Sequence, residues 1–150
     1  MGSTSQLEKV LFRLEQDECG YPPVSVEGVW ALRLANGNMR VDNIPFYVMG
    51  ISAGDEIEVR SDGSELWFIS MVAPSKNSTF RLIPMDVGDL QKVRMSVERL
   101  GCKTECHSSA GLIAVEVPAN VPIQPFLSYL MDARESGLLD FEEAALRHPL

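Results

Sequence analysis

The sequence lacks a long apolar run and contains few cysteines. No apolar stretch approaches the roughly 18 residues that a membrane-spanning helix needs. Residues 1–9 lack the basic start and apolar middle of a secretory signal. The chain has three cysteines, Cys19, Cys102 and Cys106, an odd number that is too small for a disulfide framework. These absences predict a protein of the reducing cytoplasm that has no membrane partner.

Basic residues are scarce relative to acidic ones. The chain has 13 lysines and arginines against 21 aspartates and glutamates, for a formal net charge of -8. A nucleic-acid binder needs a basic footprint that displaces counterions from phosphate, so we expect no nucleic-acid partner. An acidic chain attracts a basic protein surface instead, and this attraction accelerates the encounter of the two proteins.

Histidine is also scarce, which limits the chemistry available. A serine, threonine or cysteine nucleophile needs a positioned base, and neither His107 nor His148 adjoins a recognisable nucleophile turn. On a strand, Cys102 and Cys106 would lie about 13 Å apart, and Cys106 and His107 would point to opposite faces. Zinc needs about four converging ligands. We therefore expect no catalytic residue, no metal and no cofactor, and do not expect an enzyme.

Short segments with strand periodicity fill the first half of the chain. In Val26–Leu34 the even positions Val26, Trp30, Leu32 and Leu34 are apolar, whereas the odd positions include Glu27 and Arg33. This period of two predicts a half-buried strand with Trp30 in the core. The predicted strands are Leu7–Leu14, Val26–Leu34, Met39–Asp42, Glu56–Arg60 and Leu66–Val72. Together they predict a small antiparallel β-barrel, SH3-like or OB-like, in residues 1–75.

The last of these strands is apolar on both faces. Leu66, Phe68 and Val72 alternate with Trp67, Ile69 and Met71. A strand with two apolar faces is normally covered on both sides. We therefore expect it to form the seam where the barrel packs against the second half of the chain.

Residues 76–150 alternate strands with helices. The strands are predicted at Thr79–Met85, Lys103–His107, Leu112–Val117 and Leu139–Ala144. One helix carries apolar residues at spacings of three and four, with Asp86 as its cap and Gly101 at its end. A second helix opens at Asn120 and Pro122 and ends at Gly137. The order predicts an α+β protein whose second half is a ferredoxin-like βαββαβ unit.

One loop is a candidate binding site. Asp42, Asn43 and Tyr47 flank a turn that is stiffened by Pro45, and a rigid loop on a barrel rim is a common place for binding residues. The favoured alternative is structural. In it, Ile44 and Phe46 plug the end of the barrel, and Asn43 satisfies its own turn.

A cluster of carboxylates is the second candidate. Asp55, Glu56 and Glu58 lie close together in sequence, as do Asp17 with Glu18 and Glu142 with Glu143. Such groups are typical of a solvated face, and the first cluster can also serve as an acidic docking surface. The aromatic residues Trp30, Trp67, Phe68 and Phe126 fall at core periodicities, so we interpret them as core residues.

The most distinctive sequence segments lie between Val26 and Leu82. They comprise VEGVWA, VDNIPFYVMGIS, GDEIEV, an LWF strand and STFRL. These segments resemble a bacterial family of uncharacterised proteins, the domain of unknown function 4265, closely over Val26–Leu82 and loosely beyond. The family pattern places Gly-His before Ser-Thr, where this chain has Lys76-Asn77 before Ser78-Thr79. The resemblance implies a fold but no established activity, and any chemistry of that histidine would be missing here.

We expect a non-catalytic protein-binding module. Within that class, the small acidic chain is typical of an immunity or antitoxin-like protein, monomeric or homodimeric, that neutralises a bacterial toxin with a basic surface. The alternative is a small-molecule sensor or minor enzyme that holds a ligand between its two halves, near Asp42, Asn43 and Tyr47. RNA binding is disfavoured because Lys103–His107 and Leu112–Val117 contain no aromatic residue on which bases could stack.

Overall fold

The computed structural model describes residues 6–150. The remaining residues, 1–5, include part of the segment considered for a secretory signal and lie outside the described chain. The chain divides into two compact units, the barrel unit up to Ser75 and the αβ unit from Lys76 to Leu150. Within residues 6–150, no helix is both long and apolar enough to cross a membrane.

The barrel unit is a closed five-stranded β-barrel, as the strand periodicity predicts. Its strands are β1 Leu7–Arg13, β2 Val26–Arg33, β3 Met39–Val41, β4 Glu56–Asp62 and β5 Glu65–Ala73. Successive strands pair antiparallel. The barrel closes where β5 lies parallel to β1, with Val10 opposite Leu66. Alternate side chains fill the interior, where Phe12 stacks on Phe68 with ring centroids 4.7 Å apart.

The orientation predicted for β2 is wrong. Val29 and Ala31 face the core and are 1% and 0% exposed, whereas Trp30 is 43% exposed. A barrel of five strands has a narrow interior that admits small side chains more readily than an indole. Trp30 therefore lies outside, where the Lys9 ammonium is 5.2 Å from its ring centroid.

Two irregularities in the β4–β5 pairing explain the two-faced appearance of β5. Ser70 pairs with Glu58 and Phe68 with Val59, so Ile69 has no partner in the register; Val72 is skipped in the same way. Such bulges interrupt the strict alternation of a strand. Phe68 and Met71 both pack on the core, whereas Ile69 and Val72 are 44% and 47% exposed. The prediction that both faces of β5 are covered is therefore wrong for these two residues.

The αβ unit is a four-stranded antiparallel sheet with two helices. Its strands are β6 Ser78–Pro84, β7 Lys103–His107, β8 Leu112–Val117 and β9 Leu139–Ala145, and its helices are α1 Leu90–Arg99 and α2 Ile123–Glu135. The strand order in the sheet is β7-β8-β6-β9. The apolar stripes of both helices pack with one face of this sheet in a single core, at which Phe80 and Phe126 meet edge to face at 5.1 Å.

The ends of α1 follow the predicted signals with one difference. Asp86 caps a short 3-10 turn, Val87–Asp89, that leads into the helix, and its carboxylate accepts a hydrogen bond from Gly88 N at 2.8 Å. Asp86 thus caps this turn rather than α1 itself. At the other end Gly101 adopts a φ of 98°, a left-handed conformation that favours glycine after a helix.

Candidate functional site

The rim loop Asp42–Tyr47 is held by a carboxylate that the sequence pattern assigned to solvent. Glu27 of β2 accepts hydrogen bonds from the backbone N–H groups of Phe46, Tyr47 and Val48 at 2.6, 2.9 and 2.9 Å. Hydrogen bonds to a charged acceptor contribute more than neutral ones, about 1.5–3 kcal/mol each. Glu27 therefore anchors the rim loop, and we call this arrangement the Glu27 clamp.

The sequence contains one signal for this role. Glu27 has the same parity as Val29 and Ala31, which are the small apolar residues that face the barrel interior. An acidic residue on the inward face of a strand needs donors, and consecutive backbone N–H groups of a capping loop provide them. That inference requires knowing which face of β2 points into the barrel, and the large apolar side chain of Trp30 favours the wrong face.

Asn43 also anchors the rim loop. Its side-chain Oδ1 accepts a hydrogen bond from Trp30 N at 3.0 Å, and the backbone N–H of Asp42 donates to Trp30 O at 2.8 Å. Asn43 therefore bonds to β2 rather than to its own turn, which corrects the structural interpretation drawn from the sequence. The Asp42 side chain is exposed.

The apolar residues of the rim loop are unequally buried. Ile44 is buried, while Phe46 and Tyr47 are half-buried. The Tyr47 ring meets the Tyr21 ring edge-on at 6.1 Å. Just beyond the loop, Val48 and Ile51 belong to the barrel core. Most of this segment is thus engaged in closing and bracing the barrel.

Asp55 is fully buried and cannot belong to an acidic surface. Its Oδ2 accepts from Ser52 N at 2.8 Å and its Oδ1 from Ser75 N at 2.7 Å. The carboxylate therefore joins two backbone segments at the two ends of the β4–β5 hairpin. This removes Asp55 from the docking surface that the sequence suggested.

Glu56 and Glu58 do lie on the outer face of β4. The Glu56 carboxylate accepts from Asn38 Nδ2 at 2.8 Å and Asn36 Nδ2 at 3.0 Å. These hydrogen bonds, chiefly that of Asn38, hold the pKa of Glu56 below its ordinary value. Glu58 is exposed and accepts from Ser70 Oγ at 3.0 Å. The pair thus presents negative charge from a rigid strand.

A serine–histidine contact in the αβ unit was not anticipated. Ser78 Oγ lies 2.7 Å from His148 Nδ1, and His148 Nε2 lies 3.0 Å from the carbonyl oxygens of Pro118 and Val121. Because carbonyls only accept, Nε2 carries a proton, and in the neutral imidazole Nδ1 therefore accepts from Ser78 Oγ. Ser78 Oγ also accepts from the N–H groups of Arg147 and His148.

The contact between Ser78 and His148 has a structural role rather than a catalytic one. Ser78 is fully buried, and its oxygen is occupied by backbone donors. A nucleophile must instead be open to its substrate. His148 is therefore an anchor for the segment that follows β9.

The thiols of Cys102 and Cys106 have little reactivity. Burial raises the pKa of Cys102 to about 12 and also raises the pKa of Cys106. A protonated thiol is a poor nucleophile and a poor metal ligand. Within residues 6–150, no group of three or more histidine, cysteine, aspartate or glutamate side chains is placed to hold a metal ion.

Two buried charges on the sheet were also missed by sequence reasoning. Arg81 of β6 is fully buried, with its Nη1 3.9 Å from Glu142 Oε1. Glu116 of β8 is buried opposite Lys103. Burial raises the pKa of Glu116, while the positive charge of Lys103 lowers it. Alternation within β8 offers no hint of Glu116, since all six residues of that strand are buried.

Comparisons with known proteins agree with this fold and are silent on activity. A family model described as Domain of unknown function (DUF4265) matches residues 27–141. The match confirms the resemblance and extends it through most of the αβ unit. No curated protein matches the chain.

A solved structure has a similar fold. The crystal structure of a hypothetical protein from Neisseria gonorrhoeae has a TM-score of 0.76 to this chain and 17% sequence identity. The alignment covers 99% of this chain and 100% of the other. At this identity, the likeness concerns the fold alone.

Proposed function

This chain belongs to the DUF4265 family, and from that premise we propose that it is a non-catalytic protein-binding module. The observation that carries the proposal is the pair of outward carboxylates, Glu56 and Glu58, on strand β4. They differ from the other candidate groups because their hydrogen-bond partners are side chains on the barrel surface, Asn36, Asn38 and Ser70, rather than backbone segments. Asp55 and Glu27 hold backbone segments, and Ser78 and His148 hold the segment that follows β9.

A basic protein surface is the partner that this geometry suits. Glu56 is fixed by two asparagine side chains, so little side-chain freedom remains to be lost when a lysine or arginine approaches. The formal net charge of -8 adds long-range attraction. Within this class we propose an immunity or antitoxin-like protein, monomeric or homodimeric, that neutralises a basic bacterial toxin. The three free cysteines support a cytoplasmic location.

We also propose finer names for the two units. In the αβ unit the elements run strand, helix, strand, strand, helix, strand, and the sheet order corresponds to strands 2-3-1-4 of that unit. This order supports the ferredoxin-like assignment. The short strands and closure of the barrel unit support an SH3-like or OB-like type.

The test is capture of the partner from the native cell by the tagged full chain. We expect a protein to be enriched in stoichiometric amount. The double variant Glu56→Gln with Glu58→Gln should reduce its recovery about tenfold, since two charge-assisted contacts are lost. The matched control, Asp132→Asn with Glu135→Gln, removes two exposed carboxylates from α2 and should leave recovery unchanged.

Two results would contradict the proposal. One is the absence of any protein enriched over an unrelated tagged protein. The other is equal loss of the partner in both double variants, which would assign the effect to net charge alone. If the captured protein is a toxin, co-expression with this chain should relieve its growth arrest, and this separates the immunity assignment from binding in general.

A further inference from the structure

A surface pocket opens on the outside of the barrel. It has a volume of about 180 Å3 and is lined by residues of β1, β4 and β5, namely Arg13, Arg60, Asp62, Trp67, Phe68 and Ile69. We call it the barrel pocket. None of these residues has a role in the binding surface proposed above.

The floor of the barrel pocket is an arginine stacked on a tryptophan. The Arg13 guanidinium carbon lies 4.3 Å from the centroid of the Trp67 ring. Trp67 lies directly opposite Arg60 in the β4–β5 register. The Arg60 side chain therefore starts beside Trp67 and also lines the pocket. A guanidinium that stacks on an aromatic ring is held in one plane, with its N–H edge available for bidentate hydrogen bonding.

Neither of these cations is neutralised by the protein. Within residues 6–150, neither Arg13 nor Arg60 forms an ion pair. This occurs in a chain with more carboxylates than basic groups. Asp62 lines the pocket as well, but it lies beyond ion-pair distance of both arginines.

The β5 irregularity supplies an apolar wall. Ile69 is the unpaired residue between Phe68 and Ser70, and it lies on the outside of the barrel, 44% exposed. With the Trp67 ring it gives the pocket an apolar surface beside two positive charges. The pocket thus combines the two features that an aromatic anion requires.

We propose that the barrel pocket binds a compact planar carboxylate of about the size of benzoate. A cavity of about 150 Å3 accommodates benzene, so the volume suits one aromatic ring with its carboxylate. The carboxylate accepts from the edges of Arg13 and Arg60, and the ring lies against Trp67 and Ile69. This site goes beyond the protein-binding function and does not depend on it.

The test is a titration of the full chain with benzoate, followed by the indole N–H signals in NMR. The chain has two tryptophans, and a Trp30→Phe variant assigns the Trp67 signal. At constant ionic strength we expect the Trp67 signal to shift saturably, with a dissociation constant on the order of 1 mM for so small a ligand. The Trp30 signal should stay in place. Benzamide, the uncharged isostere, should bind at least about tenfold more weakly.

Variants separate this site from general charge attraction. Arg13→Gln and Arg60→Gln should each weaken benzoate binding about tenfold, and Asp62→Asn should tighten it about twofold because a repelling charge is removed. Lys9→Gln is the matched control, since it removes the cation over the other tryptophan, Trp30, and should change nothing at Trp67.

The contrary results are equally specific. Equal binding of benzamide would exclude carboxylate recognition, and tighter binding of inorganic phosphate would assign the pocket to a different anion. An unshifted Trp67 signal at saturating benzoate would overturn the proposal. The Asp62→Asn variant alters an exposed residue at the end of β4. Its expected effect is a gain in benzoate affinity, which a disturbed fold would not produce, so this variant tests the proposal even if Arg13→Gln disturbs the barrel.

Discussion

The carboxylates that organise the barrel unit differ from the carboxylate that is buried in the sheet of the αβ unit, Glu116. In the barrel unit, Glu27 accepts three backbone hydrogen bonds, Asp55 accepts from the backbone N–H groups of Ser52 and Ser75, and Glu56 accepts from two asparagine side chains. In the αβ unit, Glu116 is buried in the sheet, and its pKa is raised by that burial. The same type of side chain is therefore stabilised by donors in one unit and destabilised by desolvation in the other.

This difference indicates what holds each unit together. The barrel has short strands and a long segment between β3 and β4 with no strand or helix, and carboxylates organise the backbone of that segment. The αβ unit has two helices and a continuous apolar core. We therefore expect the barrel to be sensitive to loss of carboxylates and the αβ unit to be sensitive to loss of apolar volume.

The largest effect is expected from Phe126→Ala in the αβ core. Phe126 is fully buried against Phe80, and such truncations cost about 3–5 kcal/mol of unfolding free energy. Urea denaturation followed by far-ultraviolet circular dichroism reports the two helices, both of which lie in this unit. Met131→Ala on the exposed side of α2 should change the stability by less than about 0.5 kcal/mol. A similar loss of unfolding free energy in both variants would show that the stability of the αβ unit does not depend on packing in its apolar core.

The next largest effect is expected from Glu27→Gln. The amide keeps the shape of the side chain, but it is uncharged and one of the two acceptor oxygens becomes an NH2 group that cannot accept, so at least one of the three hydrogen bonds is lost and we expect a loss of about 2 kcal/mol or more. Both tryptophans lie in the barrel, so their fluorescence during denaturation reports this unit. The control Glu58→Gln changes an outward carboxylate and should have little effect. Equal stability of the two variants would remove the distinction between inward and outward carboxylates.

Glu116→Gln tests a carboxylate that burial destabilises. This substitution should stabilise the αβ unit by about 1 kcal/mol at neutral pH, because it removes a buried negative charge. The pKa of Glu116 is raised in the folded chain. Its contribution to stability is therefore present below the unfolded pKa and is lost as the pH rises through the folded pKa. The gain from Glu116→Gln should accordingly disappear in acid, whereas the change in stability caused by Met131→Ala, which removes no titratable group, should show no such trend. Destabilisation at neutral pH would mean that the ionised carboxylate is well compensated.

The smallest effect concerns Glu56, whose folded pKa is lowered. Its contribution to stability is present above the unfolded pKa and is lost as the pH falls through the folded pKa. Asn38→Ala should move the pKa of Glu56 upward toward its ordinary value, and Asn36→Ala should move it less. A carboxyl-carbon NMR titration measures both. An unchanged pKa in Asn38→Ala would indicate that the turn does not fix this carboxylate.

Strand and helix positions were largely predictable because each element has its own period and its own end signals. Predicted and observed bounds of β7 and β8 agree, and Gly101 and Gly137 mark the ends of α1 and α2 as expected. It was harder to predict which side chains of each strand point into the core. The hydrophobicity of Trp30 predicts a core position, yet the narrow interior of a five-stranded barrel favours smaller side chains there. The skipped residues of β5 depend on the partner strand, so its sequence alone does not reveal them.

The candidate site was predictable in its location but not in its bonding. The rim loop was identified from Pro45 and its polar neighbours, while the carboxylate that holds it lies 19 residues before Phe46 in β2. Pairings of this kind, like that of Ser78 with His148 across 70 residues, depend on tertiary register and leave no local pattern. Asp55 and Glu56 are adjacent in sequence and differ in exposure, because Asp55 lies buried just before β4 and binds two backbone segments, whereas Glu56 opens the outer face of the strand.

Hydrogen exchange of the Phe46, Tyr47 and Val48 amides tests most directly whether an inward carboxylate holds the rim loop. In Glu27→Gln we expect these three amides to exchange at least about tenfold faster than in the unaltered chain, while the amides of α1 and α2 keep their rates. In the double variant Glu56→Gln with Glu58→Gln, the same three amides should remain protected. Unchanged protection in Glu27→Gln, or equal loss of protection in both variants, would contradict the division between structural and available carboxylates.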